Sequence, residues 1–474
     1  MDEHAPPAGP GRDTPELASE LLDLRDKPLE PLAPSPQALG VWELAWPTIA
    51  ASTTQTLVRW ADLKMVGDLG VEAVAGVSAG GLVYWLLQST VMAVTTGLVA
   101  LIARAVGARD ERLADATLKQ SIVLGTLFGL GTLVALLPFT DALIAIYGVE
   151  PLVVSYGSEY LVFLLLGNVP FTLTFVFGTA LRAAGDARTP LWIGVIANVL
   201  NVFLNWVLIY GHLGAPALGV AGAGLASSLA MLFQVLVFWP LWQTRRTILR
   251  PTQASFRPDT RLWRRIMHIG YPAALEGVLF HLGLFAFMRI ITIYGTAAFT
   301  AYQVGAQILA LSFLPGLGFS SAAATLVGQH LGNGQAQLAV RAGWRSTLGA
   351  IATMSGLGAA IIALAEPIAR WFIDDAEVVP LLVDFIWIMG AVQPLMAIEF
   401  ALGGALRGAG DTRFPLLTIF IGLFVCRLAP ASVAALIYGA SIQVVWSCLI
   451  LDYLIKAILL VARFQRGRWK QIEV

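Results

Sequence analysis

The sequence predicts an all-α, polytopic membrane protein with about twelve transmembrane helices in two pseudo-symmetric six-helix bundles. Three observations predict it. Apolar residues make up 57% of the chain and charged residues only 13%, where a soluble domain carries roughly 25% charged residues. From Gly40 onward, apolar runs of about 20 residues or more alternate with short polar joints, each run long enough to cross about 30 Å of hydrocarbon. The chain also repeats itself: LRAAGDARTP at Leu181–Pro190 returns as LRGAGDTRFP at Leu406–Pro415, so 406 − 181 = 225. Pro47 and Pro272 stand at the same offset (272 − 47 = 225), and so do Gly107 and Gly332 (332 − 107 = 225). Three matches at one spacing describe two copies of one unit.

Taken in order, residues 1–38 are rich in Pro and Ala, carry Asp and Glu, and lack an apolar run; we expect a disordered cytoplasmic tail. A signal peptide would need a basic start and an apolar core, and Met1–Pro10 offers neither. The first lobe is expected over 39–243, with spans near 42–67, 73–104, 113–138, 152–181, 189–210 and 217–242. A linker over 244–265 concentrates arginines around Pro251 and Pro258, and its RLWRRIMHIG stretch reads as a basic amphipathic segment lying on the membrane. The second lobe, 266–465, has spans near 266–293, 297–329, 337–364, 378–406, 413–437 and 441–463, and a short tail covers 466–474. Cys426 and Cys448 fall inside apolar runs and read as buried, inert thiols.

Basic residues orient the spans. With the amino terminus in the cytoplasm, the inner joints receive Arg104, Arg109, Arg182, Arg188, the linker cluster, Arg407 and Arg413, while the outer joint Tyr210–Pro216 has no Lys or Arg. Both termini are then cytoplasmic, in a multi-pass inner-membrane protein. Six spans per copy return the chain to its starting side, so the copies are parallel repeats that enclose a central cavity between them.

Several segments resemble the multidrug and toxic-compound extrusion (MATE) family: the paired LRxxGDxRxP phrase, ADLKMVGDLG late in the first span, ANVLNVFLN in the fifth, LGVAGAGLAS before the sixth and TLVGQHLGNG after the eighth. The resemblance runs from about Gly40 to Arg466. It implies a secondary antiporter, without cofactor, that exports cationic or other amphipathic organic compounds in exchange for protons or, second, sodium; we expect a monomer. No GxxxxGK[ST] phosphate loop is present.

Ionisable groups inside the membrane are functional candidates because each costs roughly 2.5–3.5 kcal/mol to insert. Asp62 matches the Asp of the family's first-span motif, and the resemblance groups it with Asn201, Asn205 and the accessory Ser227. Asn201 and Asn205 are one turn apart and share a face. Many relatives carry Asp at the place of Asn205; with one carboxylate and amides, a proton switch is favoured over a sodium site. Glu276 and Glu399 lie at matching depths in the seventh and tenth spans, where a facing pair would share a proton or hold sodium. The family's own Glu in the seventh span lies about one turn further on, so the match there is of helix and not of position.

Among accessory residues, His281 follows Glu276 on nearly the same face and would relay protons. Asn168 and Gln393 are repeat equivalents beside Pro170 and Pro394, where helices can bend. Arg182, Gly185, Asp186, Arg407, Gly410 and Asp411 belong to the repeated turn and read either as a hinge or gate or as a well-formed helix junction. Tyr84, Trp85, Tyr302 and Phe313 are aromatic candidates for cation–π contacts with a flat drug. Glu43 sits at the membrane entry. Two rivals stand beside the antiporter. A lipid-linked precursor flippase of the same superfamily would want a basic central cavity, whereas the embedded charges here look mostly acidic. A membrane-embedded enzyme would need clustered ligands such as HExxH, which the sequence lacks.

Overall fold

A computed structural model describes residues 40–472, so the tail expected over 1–38 lies outside it. The described residues form twelve helical spans and no strand. The first six are α1 (Val41–Gly67), α2 (Val71–Leu87 continued by Ser89–Gly107), α3 (Glu111–Leu136), α4 (Pro151–Leu166 continued by Asn168–Ala184), α5 (Arg188–Tyr210) and α6 (Gly219–Gln243). The second six are α7 (Thr260–Ile291), α8 (Thr296–Gly332), α9 (Ala336–Ala363), α10 (Val378–Gly408), α11 (Arg413–Leu436) and α12 (Ile442–Arg466). Within α11, Phe420–Leu428 is π-helical. Nine helices among the described residues are long and apolar enough to cross a membrane, and counting the bent α2 and α4 as single spans makes eleven. The twelfth, α1, has the length but carries Glu43, Arg59, Asp62 and Lys64.

The repeated phrase folds into the same junction twice. Gly185 (φ 105°) ends α4 and Gly410 (φ 89°) ends α10, both left-handed, a conformation that only glycine adopts without steric cost. Asp186 N donates to Leu181 O at 2.9 Å, and Asp411 N to Leu406 O at 2.8 Å, so orphan carbonyls at each helix end are satisfied in the same way. The repeats are not bent alike, however. Beside Asn168 and Pro170, α4 turns by 54°, while α10 runs unbroken through Gln393 and Pro394.

The boundary between the lobes differs from the sequence reading. RLWRRIMHIG is not a separate surface segment. Asp259 caps a helix that continues to Ile291, its carboxylate accepting from Arg261 N at 2.9 Å and Leu262 N at 3.2 Å. Leu262, Ile266 and Ile269 on its opening turns are buried in the core built by α2, α3, α4 and α6. The apolar side of this segment thus finds protein rather than lipid. Reciprocally, Leu44 and Ala45 of α1 are buried in the core of the second lobe, with Phe319 and Leu326 of α8. Glycines make the crossings close: Gly270 of α7 lies on the Ala93 backbone, and a Cβ at Gly318 of α8 would come 2.8 Å from Ala45 O. The two lobes therefore interlock on the basic face, each lending the start of its first helix to the other.

The linker is fastened rather than free. Lys119 Nζ donates to Thr252 O at 2.9 Å and Ala254 O at 3.0 Å, and Gln120 Nε2 donates to Arg257 O at 2.8 Å. Asp115 balances Lys119 at 2.8 Å while accepting from Thr252 N at 2.9 Å.

Candidate functional site

In the amino-terminal lobe the structure brings together all four residues grouped from the sequence. Asn205 Nδ2 donates to Asp62 Oδ1 at 2.5 Å. Asn201, with its amide nitrogen turned toward the carboxylate, donates to the same oxygen at 3.0 Å and accepts from Ser227 N at 3.3 Å. Both amides are buried on one face of α5, which fixes them against α1. Lys64 does not join Asp62; it pairs with Asp68 at 3.3 Å in an exposed i, i+4 contact. No ion pair is formed by Asp62 among the described residues, so its neighbours at hydrogen-bond distance are neutral.

The second lobe treats its carboxylates differently. Arg407 Nη1 donates to Glu276 at 3.0 and 3.3 Å. Lys456 Nζ lies 3.3 Å from Glu399 and 3.1 Å from Asp452, and Asp452 also pairs with Arg427 of the π-helical stretch. Glu276 and Glu399, expected as a facing pair, thus each hold a cation of their own. Asp452, Lys456 and Arg427 are buried, and Gly422 leaves the room they fill, since a side chain there would strike both Asp452 and Lys456. Sequence reasoning missed these three. The signal for two of them was present: in LILDYLIKAILL, Asp452 and Lys456 stand four apart in an apolar run, the spacing of a helical ion pair. Arg427 gave no local signal, because its partner comes from another helix.

The accessory residues scatter. His281 Nδ1 meets Gly277 O at 2.6 Å and its ring packs edge-on against Trp85, 4.4 Å between centroids. Asn168 Nδ2 donates to Gly129 O at 3.3 Å, while Gln393 Nε2 donates to Ser312 at 2.8 Å. In the repeated junction, Asp186 caps α5 through Thr189 N at 2.9 Å, whereas Asp411 pairs with Arg463 at 2.8 Å. Glu43 accepts from Gly40 N at 3.1 Å and belongs to the start of α1.

Between the lobes lies a cavity of about 440 Å³. Thr48, Gln55, Asn198, Gln234, Ser320 and Ser321 give it a polar wall, and its two charged lining residues are Arg182 and Arg407. Among the described residues no carboxylate lines it, so the expectation of mostly acidic embedded charge does not describe this space. Its aromatic lining is Phe175 and Phe238; Tyr84, Trp85, Tyr302 and Phe313 lie elsewhere. On the basic face the lobes are latched. Arg104 of α2 donates to Ala409 O at 2.8 Å, and Gln329 of α8 donates to Ala183 O at 2.9 Å. These two donors are repeat equivalents (329 − 104 = 225).

Two parallel six-helix repeats around a polar cavity, with carboxylates inside the spans, are the architecture of a secondary membrane transporter. The MatE family model matches residues 47–207 and 272–433, one copy in each lobe. The chain belongs to that family, and is a transporter and not an enzyme. It is 31% identical over 439 residues to the probable multidrug resistance protein NorM of Thermotoga maritima, covering 90% of this chain and 92% of the relative. The protein of the same name from Bradyrhizobium diazoefficiens is 29% identical, covering 89% and 92%. The fold also matches an outward-facing multidrug resistance MATE family transporter of the MOP superfamily, with a TM-score of 0.85, 22% identity, and coverage of 93% of this chain and 100% of that one.

Proposed function

We propose that this transporter exports amphipathic organic compounds in exchange for protons, with Asp62 as the coupling group. The observation that carries the reading is a carboxylate within a membrane span whose hydrogen-bond partners are amides and not cations. With amide donors but no cation at hydrogen-bond distance, such a group can exchange its charge for a proton without breaking an ion pair, so a proton gradient can set its occupancy. Protonation weakens the grip of Asn201 and Asn205 and lets α1 move against α5. Glu276 and Glu399 are already matched by Arg407 and Lys456, so a sodium ion there would displace a tethered cation; this supports protons over sodium. The relatives named as probable multidrug resistance proteins support a broad, amphipathic substrate. We place the protein in the inner membrane as a monomer with both termini cytoplasmic, and read the repeated junctions (Arg182, Gly185 and Asp186; Arg407, Gly410 and Asp411) as the gate on that side. Asn168, Gln393, Ser227 and His281 are assigned supporting roles around these moving helices. A lipid-linked precursor flippase is the second reading, favoured by the two guanidiniums in the cavity.

The test is efflux of fluorescent amphipathic dyes from proteoliposomes under imposed proton or sodium gradients, in separate runs. Proton-driven efflux is expected, and Asp62→Asn should reduce it by about a hundredfold or more, the size of a lost proton-transfer group, while the protein stays folded. Efflux with sodium alone, or normal transport by Asp62→Asn, would overturn this assignment.

A further inference from the structure

The central cavity poses a problem of charge that the coupling site does not solve. Among the described residues its two charged lining residues are both arginines, placed at one repeat position (407 − 182 = 225), with no carboxylate facing the same space. The two guanidiniums are held in the same manner. Each folds back over a glycine one turn earlier on its own helix, Arg182 over Gly178 and Arg407 over Gly403, where an added Cβ would lie 3.3 Å from a guanidinium nitrogen. This room lets each side chain run along its helix and present its head to the cavity.

Their partners differ. Arg407 is neutralised by Glu276 at 3.0 Å. Arg182 has one side-chain hydrogen bond, to the Thr179 hydroxyl at 3.0 Å, and no carboxylate partner among the described residues. A guanidinium has five N–H donors in a planar fork that fits carboxylate or phosphate oxygens two at a time. An unbalanced guanidinium in a membrane-embedded site is costly until an anion arrives. A purely cationic ligand entering here would meet positive charge and nothing to offset it.

We propose that the central cavity binds an acidic group of the substrate, a carboxylate, sulfonate or phosphate, through Arg182, with Ser320 and Ser321 available across the interface. The exported compounds are then amphipathic acids or zwitterions rather than permanent cations. This rests on the export reading above and narrows its amphipathic substrate to one that carries an acidic group. Arg407 is the reserve: while Glu276 is ionised it is occupied, and removing that negative charge offers the ligand a second guanidinium.

The experiment measures equilibrium binding, by fluorescence anisotropy, to the full-length protein in phosphatidylcholine nanodiscs. The probes are a xanthene dye with a free carboxylate and its ethyl ester, which is a cation of nearly the same shape. The wild type is expected to bind the acid at least about tenfold tighter than the ester. Arg182→Gln should abolish that preference and Arg182→Lys should keep part of it, since a lysine retains the charge but not the fork. Glu276→Gln should tighten acid binding severalfold, a gain that misfolding cannot produce. Equal binding of the two dyes, binding of neither, or an unchanged preference in Arg182→Gln overturns the proposal. Displacement of the acid dye by a short prenyl phosphate but not by inorganic phosphate assigns the acidic group to a lipid carrier, and failure of both to displace it assigns it to a soluble amphiphile; either keeps the site. Because binding needs no gradient, absence of proton-driven transport would defeat the export reading and leave this result standing.

Discussion

The same repeat position carries Asp62 in α1 and Phe287 in α7 (287 − 62 = 225). In the first lobe the carboxylate sits among the amides of Asn201 and Asn205. In the second, the phenyl ring is fully buried and lies 5.7 Å from the Arg427 guanidinium, part of a set in which Arg427, Lys456, Asp452 and Glu399 balance two positive against two negative charges. Two carboxylates of the second lobe show the same divergence: Glu276 answers to Ala51 and Glu399 to Thr174. At Asp62 the first lobe keeps a carboxylate with no cation at hydrogen-bond distance, while in the second Glu276, Glu399 and Asp452 are each paired with a cation. Duplication preserved the helices and their junctions, and the specialisation went into the interior polar residues.

The largest expected effect follows from the locked side. Asp452→Asn leaves Arg427 and Lys456 buried beside a single remaining carboxylate, and should destabilise the protein by about 3–5 kcal/mol. Thermal unfolding of the purified variant in detergent reads this directly. An unchanged midpoint would mean the second lobe does not depend on its charge network, and the contrast between the lobes would collapse.

On the free side, Asn205→Leu removes one hydrogen bond to a charged group, worth roughly 1.5–3 kcal/mol. Proton-driven efflux should fall about tenfold to a hundredfold with much less change in unfolding temperature than Asp452→Asn causes. If its main effect were instead on stability, the Asp62 cluster would be scaffolding. The latches come next. Arg104→Ala loses a charge-assisted hydrogen bond across the lobes, and Gln329→Ala a neutral one of about 0.5–1.5 kcal/mol. Spin-label distances across the basic face should show both variants opening there, Arg104→Ala the more. Equal widths in variant and wild type would show that the latches do not set the conformational balance.

The smallest effect is expected at Lys64→Gln. Lys64 pairs with exposed Asp68 and not with Asp62, and exposed pairs contribute little. Transport and its pH dependence should match the wild type; a shifted pH profile would reveal that Lys64 does act on Asp62 after all.

Much of this was legible in the chain. Offsets of 225 at Leu181, Pro47 and Gly107 located both repeats, and apolar run lengths located the spans, because membrane solvation allows few alternatives to a helix. Asp62, Asn201, Asn205 and Ser227 were also recoverable, since a motif and a one-turn spacing placed them. What stayed hidden depended on pairing between distant helices. Nothing local ties Arg427 to Asp452, or Arg407 to Glu276, and the polarity of the cavity depends on which side of each helix faces the other lobe. In the sequence the repeated arginines read as parts of a junction because the helix end they occupy is itself a sufficient reason for a basic residue. The opening of α7 misled for a similar reason: an amphipathic basic stretch looks the same whether its apolar side meets lipid or protein.

The exchanged starts of α1 and α7 make the molecule a pair of geared seesaws. Each beam has its foot bolted to the opposite frame, by Leu44 and Ala45 on one side and by Leu262, Ile266 and Ile269 on the other. Tilting either frame must flex both beams together, and Pro47 and Pro272, at matching points just beyond the bolts, each remove a backbone donor where that flexing falls. A stiffening substitution at one proline would therefore burden both frames, and the stroke of the machine would be set by two residues that touch neither the proton nor the cargo.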